Sequence, residues 1–525
     1  MKRFDFIIVG AGSAGCVLAN RLSENPDLTV LLIEAGSKDT SPEIKVPAAF
    51  SKLFKSKNDW AYYTEPQTYM NNRQMFQPRG KVWGGCSSIN AMIYIRGHQA
   101  DFDEWAALGN AGWSYRDVLP YFKKSEKNIA LSNSFHRQDG LLNVENHRSI
   151  HPLTDAFISA AQEAGFKKSQ DFNGADQEGF GYFQVNQNKG TRWSAADAFL
   201  KPILHRKNLT VLSNTEVKKI IFKGKQATGI LTTQNIEFFA EKEIILSAGA
   251  FHSPKLLMQS GVGSGSELQK AGIPLVHELK GIGKNLQDHL LGGIVTLCKS
   301  GLTLDDAERF PYIFTNLFNF LIFKKGPFTS NVAEAGGFVK TSPELDAPDL
   351  QFHFGPAFFI AHGFGNPKKG RAFSFGPTLI KPFSRGTLTL NPQNPNGAPI
   401  IDPSYFSDER DVKTMIKGYK LTELILSQWA FQPFRGAPFL PDKKLNSEDE
   451  IADFLRTNCE TLYHPVGTCK MGVDEQSVVD PYLKVHGLQR LRVVDASVMP
   501  TIVRGNTHAT TVMIAEKAGE FILKN

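Results

Sequence analysis

The sequence has few cysteines and none spaced for metal binding. Its five cysteines, at positions 16, 86, 298, 459 and 469, form no Cys-x-x-Cys motif, which excludes a zinc ribbon or a disulfide scaffold. Long apolar runs are also missing, because the most apolar stretch, residues 312–323, contains Asn316 and Asn319. As a helix this stretch would be about 18 Å long, against about 30 Å of membrane hydrocarbon. It therefore cannot span a bilayer.

An excess of one charge sign is absent as well. Lysine and arginine number 59 and aspartate and glutamate 52, which gives a net charge of +7 without a basic arm. This balance argues against a nucleic-acid-binding protein. The chain runs from Met1 directly into a predicted strand without a signal peptide, so a cytoplasmic location is predicted. The alternative is a cytoplasmic protein that also contacts the inner membrane peripherally.

What remains is a long chain of enzyme-like composition. It has 525 residues, of which 41% are hydrophobic and 21% charged, with 45 glycines and 28 prolines scattered without a period. This pattern excludes repeat and collagen-like architectures. The length predicts one very large domain or two interlocked ones.

A glycine-rich turn follows the first apolar segment. Residues 4–9 predict a buried strand, residues 10–15 read Gly-Ala-Gly-Ser-Ala-Gly, a helix extends to about residue 22, and residues 29–33 predict a strand that leads to Glu34. In a dinucleotide site the glycines allow the tight turn, the approach of the pyrophosphate and close helix packing. Glu34 is spaced to accept from ribose hydroxyls and would repel a 2′-phosphate. The turn therefore predicts FAD or NAD rather than NADP.

A second glycine-rich stretch, residues 79–90, contains Gly84-Gly85 followed by small hydroxyl residues. It is a candidate backbone nest for an anion or a ring edge, with an ordinary tight loop as the alternative. Strands are predicted at residues 209–212, 244–247 and 491–495, and helices at about 255–259 and 507–521. Since both ends of the chain carry such patterns, the dinucleotide domain should be discontinuous.

Residues 290–460 are rich in aromatics and prolines, with short strand-like runs such as 387–390. They predict an antiparallel sheet. The predicted fold class is α/β, with a discontinuous Rossmann-type domain over residues 1–36, 74–150, 205–290 and 465–525. Residues 37–73 are predicted covering loops, and residues 151–204 and 291–464 an inserted α+β substrate domain. We interpret residues 312–323, which precede Lys324-Lys325, as a buried helix of that domain, with a membrane-surface helix as the alternative.

Two histidines are candidates for proton transfer, with a purely structural role as the alternative for each. His464 lies in Tyr463-His464-Pro465, where the proline keeps the histidine backbone out of the helical region. His508 lies in the first turn of the predicted final helix, whose N-terminus disfavours an extra proton. No metal site is predicted, because HExxH is absent and Asp288-His289 is a single pair. The sequence contains no GxSxG elbow, so a serine hydrolase is not predicted.

Together these motifs resemble the glucose-methanol-choline (GMC) oxidoreductases, most closely the bacterial choline dehydrogenase-like alcohol dehydrogenases. The resemblance covers nearly the whole chain: the glycine turn with Glu34, and residues 77–90, 247–254, 285–289, 334–338, 463–465 and 494–497. It implies a discontinuous FAD-binding domain with an inserted substrate domain, and FAD as the bound nucleotide. Some relatives attach FAD through a histidine at the position of Ile89, which cannot form that bond. Non-covalent FAD is therefore implied.

The resemblance also implies the site residues. His464 would face the flavin N5 side of the substrate cavity with His508 as its partner, a position at which choline-specific members carry Asn. Glu334 and Tyr463 are candidate substrate contacts, and Glu334 matches a carboxylate that faces the quaternary ammonium in choline enzymes. The implied cofactor-binding residues are Gly10, Gly12, Ser13, Ala14, Gly15, Glu34, Ala35, Arg79, Val82, Gly84, Gly85, Ser87, Asn90, Val217, Ala248, Asp495, Ala496 and Thr507.

The predicted activity is the FAD-dependent oxidation of a primary alcohol to an aldehyde. His464 would take the hydroxyl proton while hydride passes to flavin N5, and His508 would hydrogen-bond the substrate oxygen. The aromatic substrate domain favours an apolar or aromatic alcohol, and a quinone or another acceptor would reoxidise the flavin. The alternatives are choline dehydrogenase proper, an oxygen-using oxidase, a redox-silent lyase, an NAD-dependent dehydrogenase and a non-enzymatic membrane flavoprotein. The oligomeric state is not predicted.

Overall fold

A mixed sheet that draws strands from both ends of the chain forms the base of the fold. The computed structural model describes residues 2–367 and 369–524, so residues 1 and 525 of the predicted dinucleotide domain lie outside the described residues. Among the described residues this sheet has seven strands. Their spatial order is Leu209–Leu212, Val30–Ile33, Lys2–Val9, Glu237–Leu246, Gln226–Thr232 and Val217–Lys223, with Leu491–Val493 paired to the end of Glu237–Leu246. The Rossmann-type expectation is confirmed.

The register of the parallel strands brings the predicted nucleotide motifs to one edge. Val9 lies opposite Ile33 on one side and opposite Leu246 on the other. The three strands therefore end together, and the glycine turn, Glu34 and Ser247 follow at the same edge. Ligands of open α/β sheets bind outside the carboxyl ends of the strands.

A second, antiparallel sheet carries the other half of the molecule. Within residues 2–367 and 369–524 it has eight strands, in the order Arg435–Leu440, Ile294–Cys298, Ala372–Leu379, Leu350–Gly355, Ala335–Val339 and Gly179–Tyr182, extended by Leu290–Leu291 and Glu460–Thr461. Phenylalanines fill one of its faces, among them Phe157, Phe352, Phe354, Phe373, Phe375 and Phe431. The expected antiparallel substrate domain is confirmed, and the exact domain boundaries stay predictions. The predicted strand 387–390 is found as Thr387–Thr389, but it pairs with Ile400–Asp402 outside this sheet.

Helices and short strand pairs complete the two halves. The α-helices are Ser13–Leu22, Gln99–Ala107, Tyr115–Ser125, Pro152–Glu163, Gly249–Gln259, Gly265–Lys270, Tyr312–Phe318, Glu409–Ser427, Glu448–Asn458 and His508–Lys524. The short strand pairs are Tyr62–Tyr63 with Phe76–Gln77, Glu126–Asn128 with Leu142–Val144, Gln187–Asn188 with Thr191–Arg192, and Val262–Gly263 with His277–Glu278. Ser13–Leu22 and His508–Lys524 pack side by side.

The helix predicted at about residues 255–259 begins six residues earlier, as Gly249–Gln259. Pro254 lies inside this helix and has no backbone N–H. The Ala250 carbonyl, four residues earlier, therefore lacks its usual helical donor. Thr468 supplies the replacement, because its hydroxyl donates to the Ala250 carbonyl at 2.6 Å. The helix therefore continues through the proline.

The prediction of a buried helix at residues 312–323 is wrong. The helix Tyr312–Phe318 has no buried residue, and the π-turn Asn319–Phe323 that continues it buries only Phe320. Phe314 is 67% and Ile322 is 62% exposed. In the part of the chain that the structure describes, no helix combines the length and the apolar character needed to cross a membrane.

Candidate active site

A cavity of about 590 Å³ begins at the carboxyl ends of the parallel strands and reaches the antiparallel sheet. Residues from both sheets and from the predicted covering loops line it. Most of the predicted site residues are in this lining: Gly10, Gly12, Ser13, Ala14, Glu34, Ala35, Arg79, Gly85, Ser87, Asn90, Val217, Ala248, Tyr463, His464, Asp495, Ala496, Thr507 and His508. The fold therefore gathers residues from the whole chain around one space.

The two glycine-rich segments lie in direct backbone contact. Gly84 donates its N–H to the Ala11 carbonyl at 2.8 Å. A Cβ on Gly85 would lie 2.8 Å from the Cα of Gly12, and one on Gly10 would lie 2.6 Å from the carbonyl oxygen of Ser247. Gly10 and Gly84 also have φ values of 102° and 84°, a conformation that favours glycine. Any side chain at these positions would push the segments apart.

The Glu34 carboxylate is fixed at the end of its strand by two backbone donors. Ala11 N–H donates to Oε2 and Gly36 N–H donates to Oε1, each at 2.8 Å. Burial raises the pKa of Glu34 to about 7, although both N–H groups act in the opposite direction. The expected contact of Glu34 with ribose hydroxyls stays a prediction.

Three predicted cofactor residues, Gly15, Val82 and Gly84, do not line the cavity. A Cβ on Gly15 would lie 1.8 Å from the carbonyl oxygen of Gly10, so Gly15 serves the close packing of helix on strand. Val82 is buried with Ile44, Leu53 and Ile89. Gly84 packs behind the turn, where a Cβ would lie 2.3 Å from Ser88 Oγ. These three residues pack against the segments that line the cavity and do not line it themselves.

Glu334, a predicted substrate contact, does not line the cavity either, and this corrects the expectation. Its Oε1 accepts from Ser330 Oγ at 2.6 Å. Its Oε2 accepts from Thr154 Oγ1 at 2.7 Å and from the His151 N–H at 2.9 Å. Glu334 is only 1% exposed. Its hydrogen bonds join separate segments of the substrate domain.

His464 is the end of a short chain of hydrogen bonds that fixes its tautomer. His289 Nε2 lies 3.2 Å from the Ile380 carbonyl, which only accepts, so this nitrogen carries the hydrogen of a neutral ring. His289 Nδ1 is then an acceptor, and His464 Nδ1, 3.0 Å away, must donate to it. His464 Nε2 therefore keeps its lone pair. It lies 3.4 Å from Asn506 Nδ2, while Asn506 Oδ1 accepts from Gln351 Nε2 at 3.4 Å.

Burial keeps both rings of this chain uncharged. Desolvation lowers the pKa of His289 to about 3 and holds the pKa of His464 well below its usual range, with the neighbouring His289 as a smaller cause. An uncharged imidazole with an available lone pair can accept a proton. The arrangement has the protonation state that a general base needs.

Asp288 holds the loop that carries His464. Its Oδ1 accepts from the backbone N–H groups of His464 at 2.8 Å and of His289 at 2.9 Å. Its Oδ2 accepts from the hydroxyls of Tyr405 and Thr461, each at 2.5 Å. This buried carboxylate positions both histidines of the chain.

His464 and His508 both line the cavity but have different hydrogen-bond neighbours, and their expected pairing across a bound substrate stays a prediction. His508 Nδ1 lies 3.0 Å from Ser13 Oγ, at the start of the first helix. The neighbour of His464 Nε2 is Asn506, two residues before His508. His508 therefore belongs to the glycine-turn side of the cavity, and its pKa is lowered to about 4, mainly by burial.

The cavity fits the dinucleotide that its glycine turn predicts. His508 Nε2 and Ser247 Oγ are buried without a hydrogen-bond partner within the described ranges 2–367 and 369–524, and both residues line the cavity. Buried polar atoms of native proteins normally have partners, so these two atoms face a site that a polar ligand completes. Helices that begin at Ser13, Gly249 and His508 also point their N-termini toward this space, which favours phosphate and flavin charge.

Asp495 and Arg79, two of the predicted cofactor-binding residues, also form hydrogen bonds within the protein. The Asp495 carboxylate accepts from Gly249 N–H at 2.9 Å and from Ser497 N–H at 2.8 Å, so it caps two helical turns. Arg79 donates from Nη2 to the Tyr463 carbonyl at 2.7 Å. This last bond links the second glycine-rich segment to the loop of His464.

The cavity wall near His464 is apolar. Phe54 and Tyr463 lie in ring contact with centroids 5.3 Å apart, and Phe50 contacts Phe54 and Phe359. Ile360 completes this wall. The carboxylates in the lining are Glu34, Glu216, Glu460 and Asp495, and Glu460 pairs with Arg73.

Sequence reasoning did not assign roles to Asn506, His289 or His353. Asn506 directly precedes the predicted final helix at about 507–521, and His289 was considered only within the motif 285–289 and in the pair Asp288-His289. His353 lines the cavity from the strand Leu350–Gly355, and its buried Nε2 has no partner among the residues described. Only the tertiary contacts identify these three, because no local pattern distinguishes them from structural residues. No group of three or more His, Cys, Asp or Glu side chains in the described ranges is placed to hold a metal ion.

Fold and site together define a dinucleotide-binding oxidoreductase with an uncharged histidine at the cofactor cavity. Models of the GMC oxidoreductase family match residues 4–291 and 382–515. The chain therefore belongs to the GMC oxidoreductase family. It is a flavoprotein with FAD as its cofactor, and an enzyme that acts on CH–OH donors.

Similar proteins cover nearly the whole chain. An alcohol dehydrogenase (acceptor) of Pseudomonas putida is 45% identical over 99% of this chain and 96% of its own length. Mitochondrial choline dehydrogenase of Mus musculus is 42% identical over 99% of this chain and 89% of its own length. The crystal structure of pyridoxine 4-oxidase from Mesorbium loti has a TM-score of 0.89 and 34% identity, and the alignment covers 98% of each chain.

Proposed function

We propose that the protein oxidises apolar primary alcohols to aldehydes, with His464 as the base. The observation that carries this proposal is the hydrogen-bond chain Ile380–His289–His464, which leaves an unprotonated Nε2 on a buried, uncharged imidazole. Asn506 donates to the same nitrogen in the absence of substrate. A substrate hydroxyl would take the place of that weak, 3.4 Å contact.

The reaction balances with one proton and one hydride. The O–H bond of the alcohol breaks and its proton goes to His464 Nε2, while the C–H bond of the carbinol carbon breaks and its electron pair leaves with the hydrogen. Bound FAD supplies the hydride acceptor at N5. Asn506, whose Nδ2 lies 3.4 Å from His464 Nε2, is then a side chain that can donate to the substrate oxygen as negative charge develops on it.

The cavity wall favours an apolar substrate over choline. Phe50, Phe54, Phe359 and Ile360 offer hydrocarbon to a substrate beside His464. Glu334, the carboxylate expected to face a quaternary ammonium, is used by Ser330, Thr154 and His151 away from the cavity. The similarity to the Pseudomonas putida alcohol dehydrogenase (acceptor) supports an alcohol as the substrate and a separate electron acceptor, for which we propose a quinone.

Anaerobic mixing with a panel of alcohols tests this proposal. We expect alkyl and benzylic primary alcohols to bleach the visible flavin absorbance at least about tenfold faster than choline, because the wall beside His464 is apolar. A tertiary alcohol is the matched control, since its carbinol carbon carries no hydrogen and must leave the flavin oxidised. Stopped-flow absorbance measures each rate.

Each alternative activity has its own outcome in this panel. Faster bleaching by choline contradicts the apolar preference, and no bleaching by any primary alcohol contradicts the proposed oxidation of primary alcohols. The reduced protein is then mixed with a quinone analogue or with aerated buffer, and faster reoxidation by oxygen would identify an oxidase.

We also propose that FAD is held without a covalent bond. Ile89 lines the cavity, and its hydrocarbon side chain has no nucleophilic atom. Acid precipitation of the purified protein should therefore release all of the flavin into the supernatant. Flavin fluorescence that stays with the protein band on a denaturing gel would contradict this, and a covalent flavoprotein run in parallel is the control.

A further inference from the structure

The helix Tyr312–Phe318 and the π-turn Asn319–Phe323, with Phe310 before them, form a protruding apolar surface. We call it the 310–323 surface. Its large side chains are exposed: Phe310, Tyr312, Phe314, Leu317, Phe318, Leu321, Ile322 and Phe323. Single exposed apolar residues are ordinary on a protein, whereas a contiguous group of this size marks an interaction site.

The helix has an inner and an outer face, and both are apolar. On the inner face Ile313 and Phe320 pack with Ala307 and Phe328, and Asn316 Nδ2 donates to the Ala307 carbonyl at 3.0 Å. These contacts anchor the segment. The outer positions 314, 317, 318 and 321 follow the helical spacing i, i+3, i+4, i+7, where a helix of a water-facing surface carries polar residues.

A cluster of cations borders the same surface. Arg148 Nε donates to the Lys324 carbonyl at 2.9 Å, and a Cβ on Gly190 would lie 2.9 Å from that carbonyl oxygen. Lys189, next to Gly190, and Lys325, next to Lys324, therefore lie beside them. None of the four cations forms an ion pair with a described residue.

Two acidic residues near this surface, Glu308 and Asp306, face other cations. Glu308 pairs with Lys52 at 2.5 Å, and Asp306 pairs with Arg309 at 3.1 Å and with Arg371 at 2.8 Å. Their charges are thus compensated within the protein. Beside the four cations of the border lies the buried Glu145 carboxylate, which accepts from the backbone N–H groups of Lys189 and Gly190. One carboxylate against four cations leaves the border positive, so it is complementary to an anionic surface.

We propose that the 310–323 surface docks the protein on the surface of a membrane with anionic phospholipids. The phenylalanine, leucine and isoleucine side chains would enter the boundary between headgroups and acyl chains, and the four cations would contact phosphates beside them. An apolar face bordered by lysine and arginine is the pattern of interfacial helices. The proposal does not depend on which alcohol the enzyme oxidises.

The same surface lies next to a loop of the cavity. Ile313 and Phe320 pack against the cluster that includes Val46 and Ala48, in the segment that continues into Phe50 and Phe54 of the cavity wall. A docked protein therefore has this wall on the side of the lipid.

Vesicle co-sedimentation of the purified holoenzyme tests the proposal. We expect binding to vesicles of phosphatidylcholine mixed with phosphatidylglycerol, weaker binding to phosphatidylcholine alone, and a decrease with added salt. Combined Phe314→Ser and Phe318→Ser should lower binding to the mixed vesicles by about tenfold or more. Combined Lys324→Glu and Lys325→Glu should abolish the preference for the anionic lipid.

Trp429→Ser is the matched control, because Trp429 is 75% exposed and lies outside the 310–323 surface. It should bind vesicles like the unchanged protein. All variants should keep FAD absorbance and alcohol-dependent flavin reduction, which shows that they are folded. Absent vesicle binding, or equal binding by the phenylalanine variant, overturns the proposal. Sedimentation equilibrium that shows a dimer lost in this variant, without vesicle binding, overturns it in favour of self-association.

Discussion

Replacement of His464 by alanine should lower the rate of anaerobic flavin reduction by about two to four orders of magnitude, while FAD stays bound. The expected loss follows from the removal of Nε2, the buried lone pair that the His289 contact leaves available. Added imidazole should restore part of the rate, because it can enter the space left by the ring. Stopped-flow reduction with an excess of a primary alcohol measures both effects.

The pH dependence of the same rate provides a second measurement. The pKa of His464 lies well below its usual range because the ring is buried. The uncharged form is therefore fully present at neutral pH and is lost only as the pH falls through this lowered pKa. We expect a level rate from neutral pH down past the ordinary histidine range of about 6.5, with an acid limb below it that the alanine variant lacks.

His277→Gln is the control for the His464 variant, because His277 bonds the His486 carbonyl and does not line the cavity. It should keep the unchanged rate. A near-normal rate of reduction in the His464→Ala variant would show that another group takes the proton. Loss of bound FAD in that variant would instead assign His464 to cofactor binding.

Replacement of His289 by phenylalanine should lower the limiting rate of reduction by about ten- to a hundredfold, with little change in the apparent affinity for the alcohol. His289 is a positioning residue: its Nδ1 accepts from His464 Nδ1 at 3.0 Å and so keeps the lone pair on Nε2. Phenylalanine removes the acceptor, and the tautomer with hydrogen on Nε2 becomes populated. Stopped-flow reduction over a range of alcohol concentrations separates the rate from the affinity.

His289→Gln is the conservative counterpart, since its amide oxygen can accept the same hydrogen bond. It should recover most of the rate that His289→Phe loses. Equal losses in the two variants, with equal losses of thermal stability, would mean that His289 only fills space. Equal and normal rates would mean that the tautomer of His464 is set elsewhere.

The sequence predicts the parts of the site that depend on local structure. The strand, glycine turn and helix of residues 2–22 follow from short-range patterns, and Glu34 follows from its spacing to that turn. The proline after His464 correctly indicates a rigid, non-helical position. These features are set by neighbours within a few residues, so a single sequence is enough to recognise them.

The remaining parts depend on contacts between distant segments. Asn506 lies beside His464 because of how the start of the last helix faces the cavity, and no local motif indicates this contact. The first turn of the helix Gly249–Gln259 is bonded by Thr468 and Asp495, each of which lies more than 200 residues away. Likewise, the apolar composition of residues 312–323 does not indicate whether the protein or the solvent covers them.

Three hydrogen bonds tie the loop that carries His464 to the FAD-binding half. Arg79 holds the Tyr463 carbonyl, Thr468 completes the helix Gly249–Gln259, and the Cys469 N–H donates to the Ser497 carbonyl at 2.9 Å. The antiparallel sheet supplies the opposite wall. Residues of that wall can therefore change, and admit a different alcohol, without moving His464, the proposed base. Reaction and selectivity are in this sense inherited separately.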